Sequence, residues 1–215
     1  MEINRIYNIA LFGGTFDPFH MGHYELLKNF YEEQHPDKIY VIPTGHPYFK
    51  EKAGKKVSSA EDRIGMTRAG LLDLDIPCEV STYETDKDTP SYSVETIGYF
   101  REKGIPEDAD CDQLKIWFLC GSDLLFQIDK WYRSGEILRS VILAVIPRGD
   151  DDMDEILLRK RELEEREDAQ IYISGYRGRN ISSTMIREDP VRYRELVPPG
   201  TYEYIRSHGL YGLDQ

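Results

Sequence analysis

Short apolar, β-rich runs alternate along this chain with stretches whose apolar positions recur every three or four residues. The runs Ile6–Phe12, Lys38–Pro43, Cys78–Ser81, Lys115–Cys120, Val141–Ile146 and Gln170–Ser174 predict strands. The helical periods predict helices over Gly22–Gln34, Ala60–Leu72, Ser91–Lys103, Ser122–Phe126, Tyr132–Ser140, Met153–Arg166, Ser182–Glu188 and Gly200–His208. Strand and helix in alternation imply βαβ units, hence an α/β fold built on a parallel sheet with helices on both faces. Val141-Ile-Leu-Ala-Val-Ile146 is apolar at every position, as a strand buried on both faces must be. In such sheets ligands bind beyond the carboxyl ends of the strands. Gly13, Pro43 and Gly121 fall there, after the first, second and fourth strands.

The chain has 215 residues, enough for one domain with a sizeable core, and no internal repeat or long linker divides it. The expectation is a single domain over 1–215 with a small helical C-terminal part from about 181 to 215. With 39 acidic and 27 basic residues the formal net charge is −12, which argues against nonspecific binding to nucleic acid or an anionic membrane. A locally basic site for a small anion is still allowed. No apolar run approaches the ~18 residues of a membrane-spanning helix, and MEINRIYNIALFGG lacks the shape of a signal peptide. Cys78, Cys111 and Cys120 are scattered and odd in number, which suggests reduced thiols of a cytoplasmic protein and neither a disulfide framework nor a zinc site. Gly149 to Asp168 is highly charged and reads as a solvated helix with an acidic start. Lys50 to Ser59, KEKAGKKVSS, is polar without a period and reads as a loop beside the site.

Four segments carry candidate chemistry. GGTFDPFHMGH, Gly13 to His23, joins the first strand to the first helix. Gly13 and Gly14 at the strand exit let backbone N–H groups approach a ligand with no Cβ in the way. His20 and His23 are three apart and are expected on one face of the first helical turn. A helix N-terminus already favours an anion, and imidazoles there add donors, so the segment reads as a triphosphate site. The HxxH pair alone would equally fit a surface or metal-binding pair. In ISSTMIR, Ile181 to Arg187, Ser182 or Ser183 can cap a helix, and the Arg187 fork can reach β- and γ-phosphate oxygens. Ser-Ser-Thr is also an ordinary cap. In CGSDLLFQIDKWY, Gly121 allows close backbone approach, Asp123 can accept from ribose hydroxyls or a base, and Trp131 offers a flat face for a ring or for the core. PSYSVET, Pro90 to Thr96, opens a helix whose first donors suit a carboxylate, or is a plain serine cap.

GGTFDPFHMGH resembles the (T/H)xGH signature of the nucleotidyltransferase superfamily, and especially that of the bacterial nicotinate mononucleotide adenylyltransferases. ISSTMIR resembles the superfamily's second signature, and the resemblance covers nearly the whole chain. It implies a Rossmann-like, doubly wound fold and transfer of the adenylyl group of ATP to nicotinate mononucleotide, releasing pyrophosphate and forming deamido-NAD in NAD biosynthesis. It implies an ATP site of Gly13, Gly14, Thr15, Phe16, His20, His23, Gly121, Asp123, Ile181, Ser182, Ser183 and Arg187. It implies a mononucleotide site of Thr15, Lys50, Ser93, Asp123, Trp131 and Tyr132, with His20, His23, Lys50 and Arg187 as the catalytic set. The cofactor implied is Mg²⁺, held mainly by ATP phosphates, with no protein metal site. Two positions depart from the family pattern: Ser93 stands where threonine is usual, and in PTGHPYFK Phe49 stands where many relatives have histidine, with His46 earlier.

The implied reaction is direct attack of an already ionised phosphate on the α-phosphorus, without a general base or covalent intermediate. Other readings stay open. A nicotinamide mononucleotide enzyme differs only in acid-versus-amide choice. A pantetheine-phosphate adenylyltransferase shares both signatures but is usually shorter and lacks the late Trp-Tyr pair. A non-catalytic nucleotide sensor would be expected to lose His20, His23, Lys50 or Arg187, which are all present. A class I aminoacyl-tRNA synthetase shares an HIGH-like motif but needs a tRNA-binding extension. The sequence allows a homo-oligomer without specifying one.

Overall fold

The computed structural model of the chain describes residues 5–45, 57–107, 109, 111 and 113–213. In chain order the elements are β1 (Ile6–Gly14), α1 (Met21–Gln34), β2 (Lys38–Pro43), α2 (Ala60–Leu71), β3 (Cys78–Val80), α3 (Ser93–Lys103), β4 (Gln113–Gly121), α4 (Ser122–Leu125), α5 (Ser134–Ser140), β5 (Ile142–Ile146), α6 (Met153–Glu167), β6 (Gln170–Ile173), α7 (Ser183–Glu188) and α8 (Pro199–Ser207). The strands form one sheet in the order β3-β2-β1-β4-β5-β6, and every pairing is parallel. The chain winds outward from β1 through β2 to β3, returns to β4 on the other side of β1, and winds outward again. This is the doubly wound, Rossmann-like arrangement that the family resemblance implies, built on the parallel sheet read from the alternation.

Side-chain alternation along each strand sorts the core into two layers. Ala10, Phe12, Val41, Trp117, Leu119 and Ala144 face one side and pack with Leu27 and Phe30 of α1 and Leu71 of α2. Ile9, Leu11, Ile116, Phe118, Leu143 and Val145 face the other, against Ile97 and Phe100 of α3, Ile137 of α5, and Ile156 and Leu163 of α6. Near-continuous apolar strands are therefore required by the two layers, each strand feeding both. A third cluster joins Met66 of α2 to Ile181, Ile186 of α7, Val197 and Ile205 of α8. There Gly200 lies so close to α2 that a Cβ would stand 2.2 Å from the Ala69 carbonyl oxygen.

Four boundaries near the site differ from the sequence reading, each for a local reason. β1 runs on to Gly14 and β4 to Gly121, because both glycines still pair with an outer neighbour. α3 starts at Ser93 behind an extended Tyr92, not at Ser91. Arg133 adopts a left-handed conformation (φ 56), so α5 starts at Ser134 and leaves Tyr132 outside the helix. The charged segment after Gly149 is α6, capped by the Asp152 carboxylate, which accepts from the Asp154 N–H at 2.8 Å.

Candidate active site

β1 and β4 stop pairing after Leu11 and Phe118, yet each runs on beside its outer neighbour. Gly13 and Gly14 stay with Ile42 and Pro43 of β2, and Gly121 stays with Ile146 of β5. The two central strands thus part at their carboxyl ends and open a crevice where the winding reverses. α1 starts at this crevice. His20 is its N-cap, with extended backbone (φ −140, ψ 171), and only His23 lies inside the first turn. The expectation that both histidines belong to that turn is corrected here. Extended backbone at the cap swings His20 over His23, and their rings stack with centroids 3.6 Å apart at 18°.

The two imidazoles are poised as neutral donors. The His20 backbone N–H donates to His23 Nδ1 at 3.2 Å, which assigns the His23 proton to Nε2. The His23 ring is packed by Phe12, Phe16 and Phe19, with centroids at 5.8, 5.0 and 5.3 Å. His20 is 5% exposed. Burial first, and then the positive charges of Arg148 and Arg179, lower its pKa to about 3. Its Nδ1 is buried and has no hydrogen-bond partner among the described residues. An unsatisfied ring nitrogen in such a place needs a reason, and a ligand group supplies one.

A cavity of about 300 Å³ occupies the crevice. Its walls come from four directions: Gly13, Gly14 and Phe16 after β1, His20 and His23 of α1, Gly121 and Arg148 at the ends of β4 and β5, and Arg179, Ile181, Ser182 and Ser183 before α7. A Cβ on Gly13 would meet nothing within 4 Å, so this glycine leaves the floor open. Gly14 has a different cause from the one expected, since a Cβ there would stand 2.7 Å from the buried Phe16 ring. Phe16 itself is left-handed (φ 50), which turns the chain sharply from β1 toward His20. Gly121 is overhung by Asp123, whose Oδ1 would be 2.6 Å from a Cβ.

Among the described residues, Arg148 and Arg179 are the cations that line this cavity, and the sequence reading missed both. Arg148 follows β5 at the carboxyl edge of the sheet and lies 3.7 Å from Asp123. Its position after a fully apolar strand was the available signal. Arg179 offers none, because it is placed by tertiary contacts: its Nε donates to Glu25 of α1 at 2.9 Å, and Glu25 also takes the Tyr176 hydroxyl at 2.9 Å.

The second signature meets the first directly. Ser182, not Ser183, caps α7, accepting from the Met185 N–H at 3.2 Å. Ser183 Oγ donates instead to the Pro18 carbonyl at 3.0 Å. Arg187 does not wall the cavity. Its guanidinium donates to the Asp17 carbonyl and to Thr184 Oγ1 (3.2 Å) and lies 3.7 Å from the buried Asp17 carboxylate. Thr15 contributes a carbonyl to an unforeseen hub. Arg63, 2% exposed, donates to the carbonyls of Thr15, Gly45 and Ser58 at 3.1, 3.2 and 3.2 Å, tying three loops together behind the site.

Three of the candidate acceptor residues, Ser93, Trp131 and Tyr132, gather away from the crevice where Asp123 and Thr15 lie. Tyr132 is 57% exposed, and its ring lies 4.8 Å from that of Tyr92, the N-cap of α3. This brings the Ser93 segment and the Trp131-Tyr132 segment side by side. Trp131 is half-buried and packs edge-on against Phe118 at 6.2 Å, so it serves the core as well as offering a face. Ser93 is the first residue of α3, and the Glu95 and Thr96 N–H groups close onto the Tyr92 carbonyl. Lys50, His46 and Phe49 lie outside the described residues. Among the described residues, no group of three or more His, Cys, Asp or Glu side chains could hold a metal ion. No helix among them is long and apolar enough to cross a membrane.

Comparison with known proteins adds three findings. Residues 11–189 match the model of the cytidylyltransferase-like family. A probable nicotinate-nucleotide adenylyltransferase of Clostridium tetani is 33% identical over 205 residues, covering 94% of this chain and 98% of that one. Its counterpart in Neisseria meningitidis is 32% identical over 208 residues, with the same coverage. Among solved structures, the Plasmodium falciparum nicotinic acid mononucleotide adenylyltransferase superposes with a TM-score of 0.69 at 18% identity, covering 97% of this chain and 98% of that one, in its complex with APC. The same enzyme complexed with NaAD gives a TM-score of 0.69 at 19% identity, over 96% and 98% of the chains.

Proposed function

The chain belongs to the nicotinate-nucleotide adenylyltransferases of the cytidylyltransferase-like family, and we propose that it transfers the adenylyl group of ATP to nicotinate mononucleotide, forming deamido-NAD and pyrophosphate. The observation that carries the reading is the pair of stacked, neutral imidazoles at the start of α1, facing a cavity that Arg148 and Arg179 make cationic. Polyphosphate is the ligand such a site suits on a protein of net charge −12.

In this reading ATP lies across the crevice with its triphosphate against His20, His23, Ser182 and Ser183. Neutral imidazoles donate hydrogen bonds to the departing oxygens without surrendering a proton. This suits a reaction whose nucleophile, the mononucleotide phosphate, is already ionised at neutral pH. Catalysis is then positioning and charge stabilisation. Mg²⁺ supplies charge neutralisation of the phosphates when bound. The cavity's donor set of guanidinium, imidazole and hydroxyl groups fits a metal carried in by ATP, with Asp123 as the nearby carboxylate. Arg187 acts from behind the wall, ordering the segment that presents Ser182 and Ser183, and Lys50 contributes a further phosphate cation.

The acceptor's pyridine ring is assigned to the face of Trp131 and its carboxylate to Ser93 and the backbone beside Tyr132. The Tyr92–Tyr132 contact supports this, since it holds the two segments together. The first N–H groups of α3 match a carboxylate and mismatch an amide NH₂. The whole of 1–215 works as one catalytic unit with 181–215 as its helical portion, and the free Cys78, Cys111 and Cys120 fit a cytoplasmic setting. The test is a comparison of kcat/KM for nicotinate mononucleotide, its amide and phosphopantetheine, each with ATP and Mg²⁺. The acid should lead. An amide preference would refute the assignment of Ser93 and Tyr132, and turnover of phosphopantetheine alone would reassign the enzyme.

A further inference from the structure

We propose that Tyr211, in the turn Leu210–Gly212 that follows α8, is a positioning residue for adenylyl transfer, acting on the triphosphate through Asp17 and Arg187. The proposal rests on the reading of the crevice as the ATP site.

Asp17 is 1% exposed and sits inside the first signature, between Phe16 and the turn into His20. A carboxylate buried that deeply must have its oxygens occupied. The Tyr211 hydroxyl donates to Oδ1 at 2.7 Å. On Oδ2 the Ser58 N–H donates at 3.3 Å, and the Arg187 guanidinium stands 3.7 Å away. The same guanidinium donates to the Asp17 carbonyl. The hydroxyl therefore takes the carboxylate oxygen that Arg187 does not face, and leaves Arg187 divided between backbone and side chain of Asp17. Burial and the Asp17 charge push the Tyr211 hydroxyl well above its usual range, so it remains a donor throughout the working pH.

Backbone geometry points the same way. Tyr211 is left-handed (φ 56, ψ 26), a conformation a non-glycine residue keeps only when its surroundings fix it. Phe16, adjacent to Asp17, is also left-handed. Ser183 meanwhile bonds the Pro18 carbonyl. The turn after α8, the first signature and the second signature are thus joined at one carboxylate, and Tyr211 is the member with no place of its own in the chemistry. Without its hydroxyl, Oδ1 would be buried with no donor among the described residues. Arg187, whose guanidinium already stands 3.7 Å from Oδ2, would close onto both oxygens and drag the Ser183–Arg187 segment with it. The effect belongs at the triphosphate, because among the described candidate acceptor residues Thr15 alone lies in the joined segments, whereas Ser93, Asp123, Trp131 and Tyr132 stand on other elements.

Tyr211→Phe keeps the ring and removes only the hydroxyl. ATP affinity by titration calorimetry should fall about fivefold to tenfold, less than the full worth of a hydrogen bond to a charged group because the hydroxyl acts on the ligand only through Asp17 and Arg187. The KM for nicotinate mononucleotide should stay within about twofold. Amide hydrogen exchange should quicken in residues 15–20 and 183–188 and remain unchanged in the sheet. An equal rise in both KM values, unchanged ATP affinity, or protection lost across the whole sheet would each overturn the proposal and make Tyr211 merely structural. If the parent protein binds no ATP, it is the reading of the crevice that fails. The exchange comparison then still decides whether the hydroxyl holds the two segments.

Discussion

Replacing His20 by Asn should flatten the acid side of the stability profile. In the folded protein burial and Arg148 hold the imidazole pKa at about 3, whereas in the unfolded chain it returns to about 6.5. At pH 7 both states carry a neutral ring. Below pH 6.5 the unfolded chain binds a proton that the folded protein refuses, so unfolding becomes easier as pH falls, down to the folded pKa. Each pH unit in that window is worth about 1.4 kcal/mol. Between pH 7 and pH 5 the loss from His20 comes to about 2 kcal/mol, with little discount for solvent because the ring is 5% exposed. The assay is urea unfolding at pH 7, 6 and 5. With a slope of roughly 2 kcal/mol per molar urea, the parent midpoint should drop about 1 M further than that of His20→Asn over this range. Parallel profiles for parent and variant would mean that the folded imidazole titrates normally, and would refute the picture of a desolvated donor beside two arginines.

Three further outcomes follow from the site. His23→Gln should lower kcat by about 10²–10³, the range of roughly 3–4 kcal/mol for one lost transition-state donor. It should also lower Tm, because the ring is packed by three phenylalanines; a kcat within tenfold of the parent would remove His23 from the mechanism. Arg148→Ala should raise the KM for ATP about tenfold or more, as expected for a charge-assisted bond of roughly 1.5–3 kcal/mol. An unchanged ATP KM would show that this cation serves only Asp123. Trp131→Ala should raise the acceptor KM about 2–12-fold, from roughly 0.5–1.5 kcal/mol of stacking, and leave that of ATP unchanged; equal changes in both would make Trp131 a core residue alone.

What the sequence made legible was periodic or local. Each of the six strands is recognisable as a short apolar run, and the two-layer core explains why Val141–Ile146 had to be apolar at every position. The crevice could be placed because Gly13 and Gly121 lie at the carboxyl ends of strands that flank the reversal of winding. The turn chemistry was less visible. Tyr132 lies outside α5 because Arg133 is left-handed, and nothing in an arginine announces that conformation. Gly14 is required by the Phe16 ring, a contact made by a residue two positions on that no periodicity reveals. Arg63, Arg179 and Tyr211 were missed for one shared reason. Their roles are set by partners distant in sequence, such as Thr15 for Arg63 and Asp17 for Tyr211. Arg187 shows the converse, a motif residue whose assigned target was a phosphate and whose partner in the structure is the first signature itself.

The account is tested most directly by following pyrophosphate and dinucleotide together in a reaction of the full chain with ATP, Mg²⁺ and nicotinate mononucleotide. It predicts equal molar release of pyrophosphate and formation of deamido-NAD, no pyrophosphate when either substrate is omitted, and no adenylylated protein by mass spectrometry. Pyrophosphate release from ATP alone, or an adenylyl group found on the protein, would contradict direct transfer in the crevice of His20 and His23.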